Sequence, residues 1–293
     1  DLHSFPTRRS SDLEINAKIV RLERNYRSGG HILGAASSLI SNNESRLGKK
    51  IWTEGDCGEK VKVKRLYNGF DEARFVADQI EDLKRQGNDN YGSMAVLVRA
   101  GYQTREFEDR FIAYGIPYKV VGGLKFYDRQ EIKDIVAYMR LVYQSNDSLA
   151  FERVINSPKR GIGASAVSKF YEYSRNHNVS LFQAAKDMAR ENLLRPSVKT
   201  AVESFTRLIE SICEKKDAKP SEIAKFIITA TGYQQMLSQE KTTEAEGRIE
   251  NLKELTTALE DFPDLSTFME HVSLVMDSPR NVSEDLVSIM TLH

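Results

Sequence analysis

The first clear pattern of apolar positions starts just after Ser28 and predicts an α-helix. The side chains that fall at three-and-four spacing are Ile32, Leu33, Ala36, Leu39 and Ile40. Ser28 has the side chain of an N-cap, and the pair Asn42-Asn43 is typical of a helix end. The pattern therefore predicts a helix that packs through one face.

Between residues 62 and 121 strand-like and helix-like stretches alternate. Lys62–Tyr67 has a period of two and predicts a strand, and Met94–Val98 is a short apolar run typical of a buried parallel strand. Tyr118–Val121 predicts a third strand, and helical patterns lie between the strands at Asp71–Gln86 and Thr104–Tyr114. This alternation is typical of an α/β layer with a parallel sheet.

After a helix predicted at Asp128–Tyr143, strand-like runs disappear from the long central part of the chain. The helical patterns there include Ser165–Tyr173, Leu181–Ala189, Val198–Cys213, Ser221–Thr231 and Glu246–Leu259. Leu286–Leu292 then returns to the pattern of a buried strand. The predicted fold class is α/β: a partial parallel-sheet domain with a large all-helical insertion.

Composition and charge exclude several broad classes of protein. The chain has 42 Lys plus Arg and 42 Asp plus Glu, so a nucleic-acid surface must be a local patch. Cys57 and Cys213 lie far apart without metal-ligand spacing, which argues against a metal site or a disulfide framework. No apolar run is long enough to cross a bilayer. We therefore expect a cytoplasmic protein with no membrane partner.

Residues 1–13, DLHSFPTRRSSDL, match the translation of a common short-read sequencing adapter. The alternative is a short polar tail, but agreement over the whole segment favours the adapter, so we treat it as a non-native leader. This interpretation predicts that the native N-terminal part is absent from the chain. The final strand has no helix after it, which predicts a second truncation at the C-terminus.

The stretch LERNYRS places a tyrosine beside an arginine at the start of the first predicted helix. An aromatic plane beside a guanidinium suits a nucleotide, because Tyr26 can stack on a base and Arg27 can neutralise a terminal phosphate. The alternative is that Tyr26 packs in the core and Arg27 pairs with a local carboxylate.

LERNYRS resembles motif IV of the UvrD/PcrA/Rep family of superfamily 1A DNA helicases. Four further segments resemble that family in the same order: YGIPYKVVGGLKFYDRQEIKD, NSPKRGIG, TGYQQML with GRIENLKEL, and VSIMTLH. The resemblance implies a RecA-like motor domain 2A at residues 14–142, a helical insertion 2B at 143–280 and a return strand of 2A at 281–293, truncated in motif V.

The resemblance implies an ATP site shared with a domain that this chain lacks. It assigns Tyr26 to the adenine and makes Arg27 the catalytic arginine finger that reaches the γ-phosphate of ATP. ATP hydrolysis also needs a phosphate cradle and a Mg²⁺ carboxylate. The sequence contains no G-x-x-x-x-G-K-[ST]. ATP with Mg²⁺ is therefore expected to be bound mainly by the missing domain 1A, and the chain alone is predicted to be inactive.

The segment PKRGIGAS is the predicted contact with duplex DNA. Its glycines allow close backbone approach, and the amides that open the helix near Ser165 can bind a phosphate. The candidate residues are Lys159, Arg160, Gly161, Ile162, Gly163 and Ser165. Such a contact is independent of base sequence and sensitive to salt. The alternative is an ordinary glycine turn with solvated basic residues.

A second set of residues is predicted to contact single-stranded DNA, since cationic and stacking side chains serve strand binding. The candidates are Lys125, Phe126, Arg129, Thr291 and His293; the last two are implied by the resemblance to motif V. The alternatives place Phe126 in the core and pair Arg129 with Glu131 or Asp134. For Thr291 and His293 the alternative is simply the end of a strand.

The function predicted from these features is part of an ATP-dependent 3′-5′ DNA helicase that unwinds duplex DNA during repair or replication. Its expected partners are single-stranded DNA and a duplex junction, and the sequence predicts no specific protein partner. A non-catalytic DNA-junction-binding or regulatory module is the alternative from another class. A helicase-nuclease subunit of the AddA/RecB type is the second alternative.

Overall fold

The computed structural model describes residues 20–43, 50–87, 90–277 and 285–292. The chain divides into two compact units, Asp1–Leu66 and Tyr67–His293, which are described separately. None of the helices in the described ranges is both long and apolar enough to cross a membrane.

The first unit contains helix α1, Gly30–Ile40, which buries Leu33. The prediction that Ser28 caps this helix is wrong, because the N-cap is Gly29 and no side chain caps the first turn. Backbone carbonyls take that role: the amide of Gly30 donates to Asp56 O at 3.3 Å, and the next amide donates to Cys57 O at 3.1 Å. Backbone groups thus satisfy amides that a helix start leaves open.

The strand predicted at Lys62–Tyr67 is not formed. Val63 and Tyr67 are 95% and 96% exposed, so the alternating pattern faces no core. A strand also needs a neighbouring strand to satisfy its backbone groups, and neither the sheet nor the isolated bridge of the described residues includes this segment. The period-two pattern on its own was therefore not enough to produce a strand at this position.

The second unit holds a three-stranded parallel sheet. Its strands are β1 (Ala95–Val98), β2 (Tyr118–Val121) and β3 (Val287–Thr291), in the order β1-β3-β2. Ala95 lies opposite Ser288 on one side of β3, and Tyr118 lies opposite Val287 on the other. Three of the four predicted strands are confirmed, and the last strand in the sequence occupies the centre of the sheet.

Two amphipathic helices cover the sheet, α2 (Gly69–Arg85) and α3 (Thr104–Tyr114). The side chain of Asn68 caps α2 by accepting a hydrogen bond from Asp71 N at 2.8 Å. The buried residues of this layer are Ala73, Ala77, Ile80, Val98, Phe107, Phe111, Ile116, Tyr118, Val287 and Ile289. The parallel sheet with packed helices confirms the predicted α/β class.

The helical part of the second unit is built from nine helices among the described residues. They are α4 (Gln130–Tyr143), α5 (Ser148–Val154), α6 (Ala164–His177), α7 (Leu181–Arg190), α8 (Pro196–Cys213), α9 (Pro220–Ala230), α10 (Tyr233–Glu240), α11 (Thr243–Ala258) and α12 (Leu265–Asp277). The sequence patterns located α4, α6, α7, α8, α9 and α11; the structure adds the remaining three.

Helix α4 packs in the helical core rather than with the sheet. One continuous cluster of buried side chains runs from Phe126 through Tyr138 to Val275. The hydrophobic packing therefore changes from sheet core to helical core near Phe126, ahead of Tyr143. The division into domains at residues 142 and 143 stays a prediction.

Candidate nucleic-acid interface

A groove of about 560 Å³ lies at the carboxyl ends of the three parallel strands. Its lining includes residues 100–102 after β1, residues 122–124 after β2, and Thr291 at the end of β3. The opposite side is a face of α11. Ligands of open parallel sheets bind outside the carboxyl ends of the strands, so this groove is a candidate ligand-binding site.

Arg129 projects into this groove from the start of α4. Its Nη1 donates to Asn251 Oδ1 at 2.7 Å, and its Nη2 donates to Gly101 O at 2.9 Å and Thr104 Oγ1 at 3.1 Å. All three acceptors are neutral. A guanidinium has five N–H donors, so Nε and one Nη1 hydrogen keep no partner among the described residues. Burial lowers the pKa of the Arg129 guanidinium.

The predicted alternative that Arg129 pairs with Glu131 or Asp134 is wrong, since no carboxylate of the described residues forms an ion pair with it. Glu131 accepts a hydrogen bond from Asn251 Nδ2 at 2.6 Å, and Asp134 is paired with Arg153 at 2.7 Å. Among the described residues, no carboxylate therefore contacts the Arg129 guanidinium directly, although the charges of Glu108 and Glu131 raise its pKa against the larger, opposite effect of burial.

Glu108 on α3 supports Arg129 from behind, although the sequence did not single it out. This buried carboxylate accepts hydrogen bonds from Thr104 Oγ1 at 2.7 Å and Phe126 N at 3.1 Å. Burial raises the pKa of Glu108 to about 7, against the opposing effect of those two hydrogen bonds. One sequence feature could have indicated that Glu108 is buried: it lies on the same face of the predicted helix as the apolar residues Phe107 and Phe111.

The remaining strand-contact candidates have different environments. Phe126 is fully buried, so the core alternative is correct and its ring cannot stack on a base in this structure. Lys125 is half-buried, with Nζ 4.5 Å from the centre of the Tyr118 ring. Thr291 pairs with Val98 in the sheet and lines the groove. His293 lies outside the described residues, so its predicted contact stays a prediction.

The glycine loop before α6 exposes its backbone and buries one anchor. Lys159, Gly161 and Ser165 are exposed, whereas Ile162 is buried in the helical core. Gly161 has a φ of +80°, in the region that strains other residues. Gly163 is the N-cap of α6, and no side chain caps that helix. The open amides of this helix start suit a phosphate.

Arg160 points inward from the same loop. Its Nη1 donates to the carbonyls of residues 154, 155 and 158 at 2.9, 3.2 and 3.1 Å, and its Nη2 donates to Tyr138 Oη at 2.7 Å. Asn156 Oδ1 accepts from the amides of Arg160 and Ile162 at 2.7 and 3.3 Å. These contacts favour a role for Arg160 in holding the loop, which leaves Lys159 as the exposed cation there.

The buried carboxylate of Asp134, which the sequence offered only as a possible partner of Arg129, also holds the loop in place. Asp134 Oδ2 accepts hydrogen bonds from Ser157 Oγ at 2.9 Å and Tyr233 Oη at 2.7 Å. Its other oxygen pairs with Arg153. Asp134 thereby joins α4, the loop and α10, and its contact with Tyr233 raises the pKa of that phenol beyond the effect of burial.

The Tyr26-Arg27 pair, in the first unit, is displayed on the surface. Tyr26 is 82% exposed, so the alternative that it packs in the core is wrong. Asn25 Oδ1 accepts from the amides of Arg27 and Ser28 at 2.9 and 2.8 Å, which forms a tight turn. The guanidinium of Arg24 lies 4.8 Å from the centre of the Tyr26 ring. The Arg27 side chain has no ion pair among the described residues.

The residues present fit only part of an ATP site. An exposed aromatic ring beside an exposed guanidinium can contact a base and a phosphate. Within the described ranges, however, no group of three or more His, Cys, Asp and Glu side chains could hold a metal ion. Tyr26 and Arg27 thus have side chains that suit the base and a phosphate of a nucleotide, and the described residues include no cluster that suits Mg²⁺.

Residues 20–293 match the family model of the UvrD-like helicase C-terminal domain. The chain belongs to this family. The match covers far more than half of the chain, and it confirms the resemblance inferred from the ordered motifs. DNA binding and helicase function are properties of this family.

Proteins similar to this UvrD-like chain include three named helicases. A probable DNA helicase II homolog of Rickettsia felis is 43% identical, over 94% of this chain and 43% of the relative. DNA helicase II of Escherichia coli is 38% identical, over 94% and 40%. ATP-dependent DNA helicase PcrA of Bacillus subtilis is 36% identical, over 95% and 39%. The chain thus spans less than half the length of these relatives.

Proposed function

We propose that this chain binds single-stranded DNA in the sheet-edge groove as part of an ATP-dependent helicase that unwinds duplex DNA in the 3′-5′ direction. The observation that carries the proposal is the Arg129 guanidinium. It lies in a groove at the carboxyl edge of a parallel sheet, and only neutral acceptors hold it. A phosphate of the strand supplies the missing anion.

The position of Arg129 is well suited to a backbone phosphate. A half-buried cation gains more from an anion than an exposed one, because water screens the pair less. The acceptors Gly101 O, Thr104 and Asn251 fix the guanidinium plane, so its remaining donors point in a defined direction. Thr291, at the end of β3, lines the same groove and is proposed as a second strand contact. Phosphate contacts position a strand without reading its bases.

Tyr26 and Arg27 are proposed to act on ATP. Tyr26 stacks on the adenine, and Arg27 places its charge against the γ-phosphate, where charge develops during phosphoryl transfer. ATP and Mg²⁺ are held mainly by residues that this chain does not contain, since the sequence has no G-x-x-x-x-G-K-[ST]. The chain by itself is therefore expected to show no ATP hydrolysis above background in a phosphate-release assay.

The glycine loop is proposed to contact the duplex ahead of the single strand. Lys159 supplies an exposed charge, and the amides after Gly163 supply phosphate donors. Gly161, Gly163 and Ser165 permit close approach of the sugar-phosphate backbone, while Ile162 anchors the loop in the core. Arg160 is proposed to position the loop rather than to touch DNA.

Strand binding is tested with Arg129→Ala in the full chain. We expect affinity for a fluorescein-labelled oligothymidylate to fall by about tenfold, one decade of Kd. Removal of one single-strand phosphate contact should also lower the slope of log K against log salt by about 0.7. Fluorescence anisotropy over a salt series measures both quantities. Arg74→Ala is the matched control, because Arg74 is exposed on α2 and makes only a local pair with Asp71.

Arg129→Lys keeps the positive charge but removes the planar guanidinium and its fixed set of N–H donors. It should keep most of the salt slope but lose part of the affinity, because lysine is a point charge that cannot reproduce the planar contacts. Circular dichroism checks that both variants remain folded. If both variants bind the oligonucleotide like the unaltered chain, the groove is not the strand site and the proposal fails.

A further inference from the structure

We propose that the face of α11 bearing Gly247 and Asn251 forms a wall of the strand site, with Gly247 as the point where the strand passes closest to the helix. This inference rests on the proposed strand-binding function. It adds a contact surface from the helical part of the second unit, which neither the sequence motifs nor the glycine loop assigned to the strand.

The geometry of α11 brings the two residues together on one side. Gly247 and Asn251 are four positions apart, so they lie one above the other on the helix. Both line the groove, together with Glu244 and Arg248. The opposite wall is the sheet edge with Thr291 and the loops after β1 and β2. A ligand in the groove therefore has α11 on one side and the strand ends on the other.

Asn251 connects this wall to the charge that attracts the strand. Its Oδ1 accepts from Arg129 Nη1 at 2.7 Å, and its Nδ2 donates to Glu131 Oε1 at 2.6 Å. The amide thus stands between a cation and an anion that are only two residues apart. It therefore bridges the guanidinium of Arg129 and the carboxylate of Glu131, which make no direct contact.

Gly247 has no structural explanation within the fold. Glycine is the weakest helix former after proline, so an interior helical glycine usually has a packing reason. A Cβ added at Gly247 would meet no heavy atom within 4 Å, which means that no neighbour requires its absence. The empty space opens into the groove. The absent side chain therefore leaves room for a ligand rather than for another part of the protein.

Each carboxylate that lines the groove beside this space has a local partner, so Arg129 is the charge that a polyanion next to Gly247 would meet. The Glu244 carboxylate, one turn earlier, is already paired with Arg248 at 2.7 Å, and Glu131 is satisfied by Asn251. Glu250 is paired with Lys253 at 2.7 Å. Arg129 is the cation of the groove that has no carboxylate partner among the described residues. A single polynucleotide strand can place one phosphate against Arg129 and run along the glycine face.

The test is a size series at one position, Gly247→Ala and Gly247→Leu, in the full chain. Both side chains favour helix more than glycine does, so the variants should melt at or above the temperature of the unaltered chain. Affinity for the labelled oligothymidylate should fall with side-chain size, by about tenfold for leucine, one decade of Kd. A structural role for Gly247 would instead lower the melting temperature.

The matched control is Gly34→Ala in α1. Gly34 is also an interior helical glycine with no heavy atom within 4 Å of an added Cβ, but it does not line the groove. It should leave oligonucleotide affinity unchanged. Unchanged affinity of Gly247→Leu, or a lower melting temperature for both Gly247 variants, overturns the inference.

Comparison with Arg129→Ala shows whether only the inference about Gly247 is wrong or the proposed strand site as well. If Arg129→Ala weakens binding and Gly247→Leu does not, the strand uses the groove without touching α11. If neither weakens binding, the strand does not use the groove and both proposals fail.

Discussion

Arg129 in the groove and Arg160 in the glycine loop are both half-buried and both held by neutral acceptors, yet they differ in where those acceptors lie and in whether the side chain lines a groove. Arg160 donates hydrogen bonds to three carbonyls at the end of α5 and in the loop, and to the Tyr138 hydroxyl. Arg129 is fixed by acceptors in two distant segments, residues 101–104 and Asn251, and it lines the groove. These contacts support the proposals that Arg160 stabilises the loop and that Arg129 binds a phosphate in the groove.

The largest expected effect is on stability, at Arg160. Arg160→Ala leaves several loop carbonyls and the Tyr138 hydroxyl without their partner, which should cost about 3 kcal/mol in the free energy of unfolding. Urea unfolding followed by circular dichroism measures this loss. Lys159→Ala is the control, since this neighbouring side chain is exposed and should change stability by less than about 0.5 kcal/mol. Equal stability of the two variants would contradict the loop-holding role of Arg160.

The next effect depends on pH and concerns the support behind Arg129. The pKa of Glu108 is raised from 4.5 to about 7 in the folded protein. The folded state therefore keeps a proton that the unfolded state releases, so stability falls as pH rises through this window. A shift of this size corresponds to about 3 kcal/mol between pH 4 and 8. Glu108→Gln should remove that fall and be the more stable form at pH 8.

The free energy of unfolding is measured at pH 5 and pH 8 for the unaltered chain and for Glu108→Gln. The contribution of Glu108 is the change between the two pH values in the unaltered chain minus the change in the variant. Glu246→Gln on α11 is the matched control, because Glu246 is exposed. If Glu108→Gln shows the same pH dependence as the unaltered chain, the carboxylate does not bind the extra proton and its assigned environment is wrong.

The smallest expected effect distinguishes the proposed duplex contact at Lys159 from the proposed single-strand contact at Arg129. Lys159→Ala should lower the slope of log K against log salt for a duplex hairpin by about 0.9, the value for one lost phosphate contact. It should leave oligothymidylate binding nearly unchanged, and Arg129→Ala should show the reverse preference. Anisotropy titrations with both probes measure these slopes. If both variants weaken both probes equally, the groove and the loop do not have separate DNA partners.

The sequence located regular elements well where their patterns were long or buried. The helix Thr104–Tyr114 was predicted with its observed bounds, and the apolar runs of β1, β2 and β3 were confirmed. It failed at Lys62–Tyr67, because alternation alone does not supply a neighbouring strand. It also missed three helices of the helical block, such as the short α5, whose apolar pattern is brief.

The candidate site was only partly predictable for a different reason. Arg129 and Thr291 were both named from sequence, and the fold places both on one groove, 162 positions apart along the chain. Asn251, Glu108 and Gly247 were not named. Their importance lies in contacts between distant segments, which no local pattern records.

The sequence by itself determined the family and the α/β class, since these follow from motif order and apolar periodicity, and it supplied the charged residues that are proposed to contact DNA. Tertiary structure decided which of those charges remain available. It inserted the last strand between β1 and β2, so the strand ends meet at a common edge. It also buried Phe126, turned Arg160 inward and left Arg129 beside the groove. Hydrogen-bond partners and burial depend on segments far apart in the chain, and only folding brings them together.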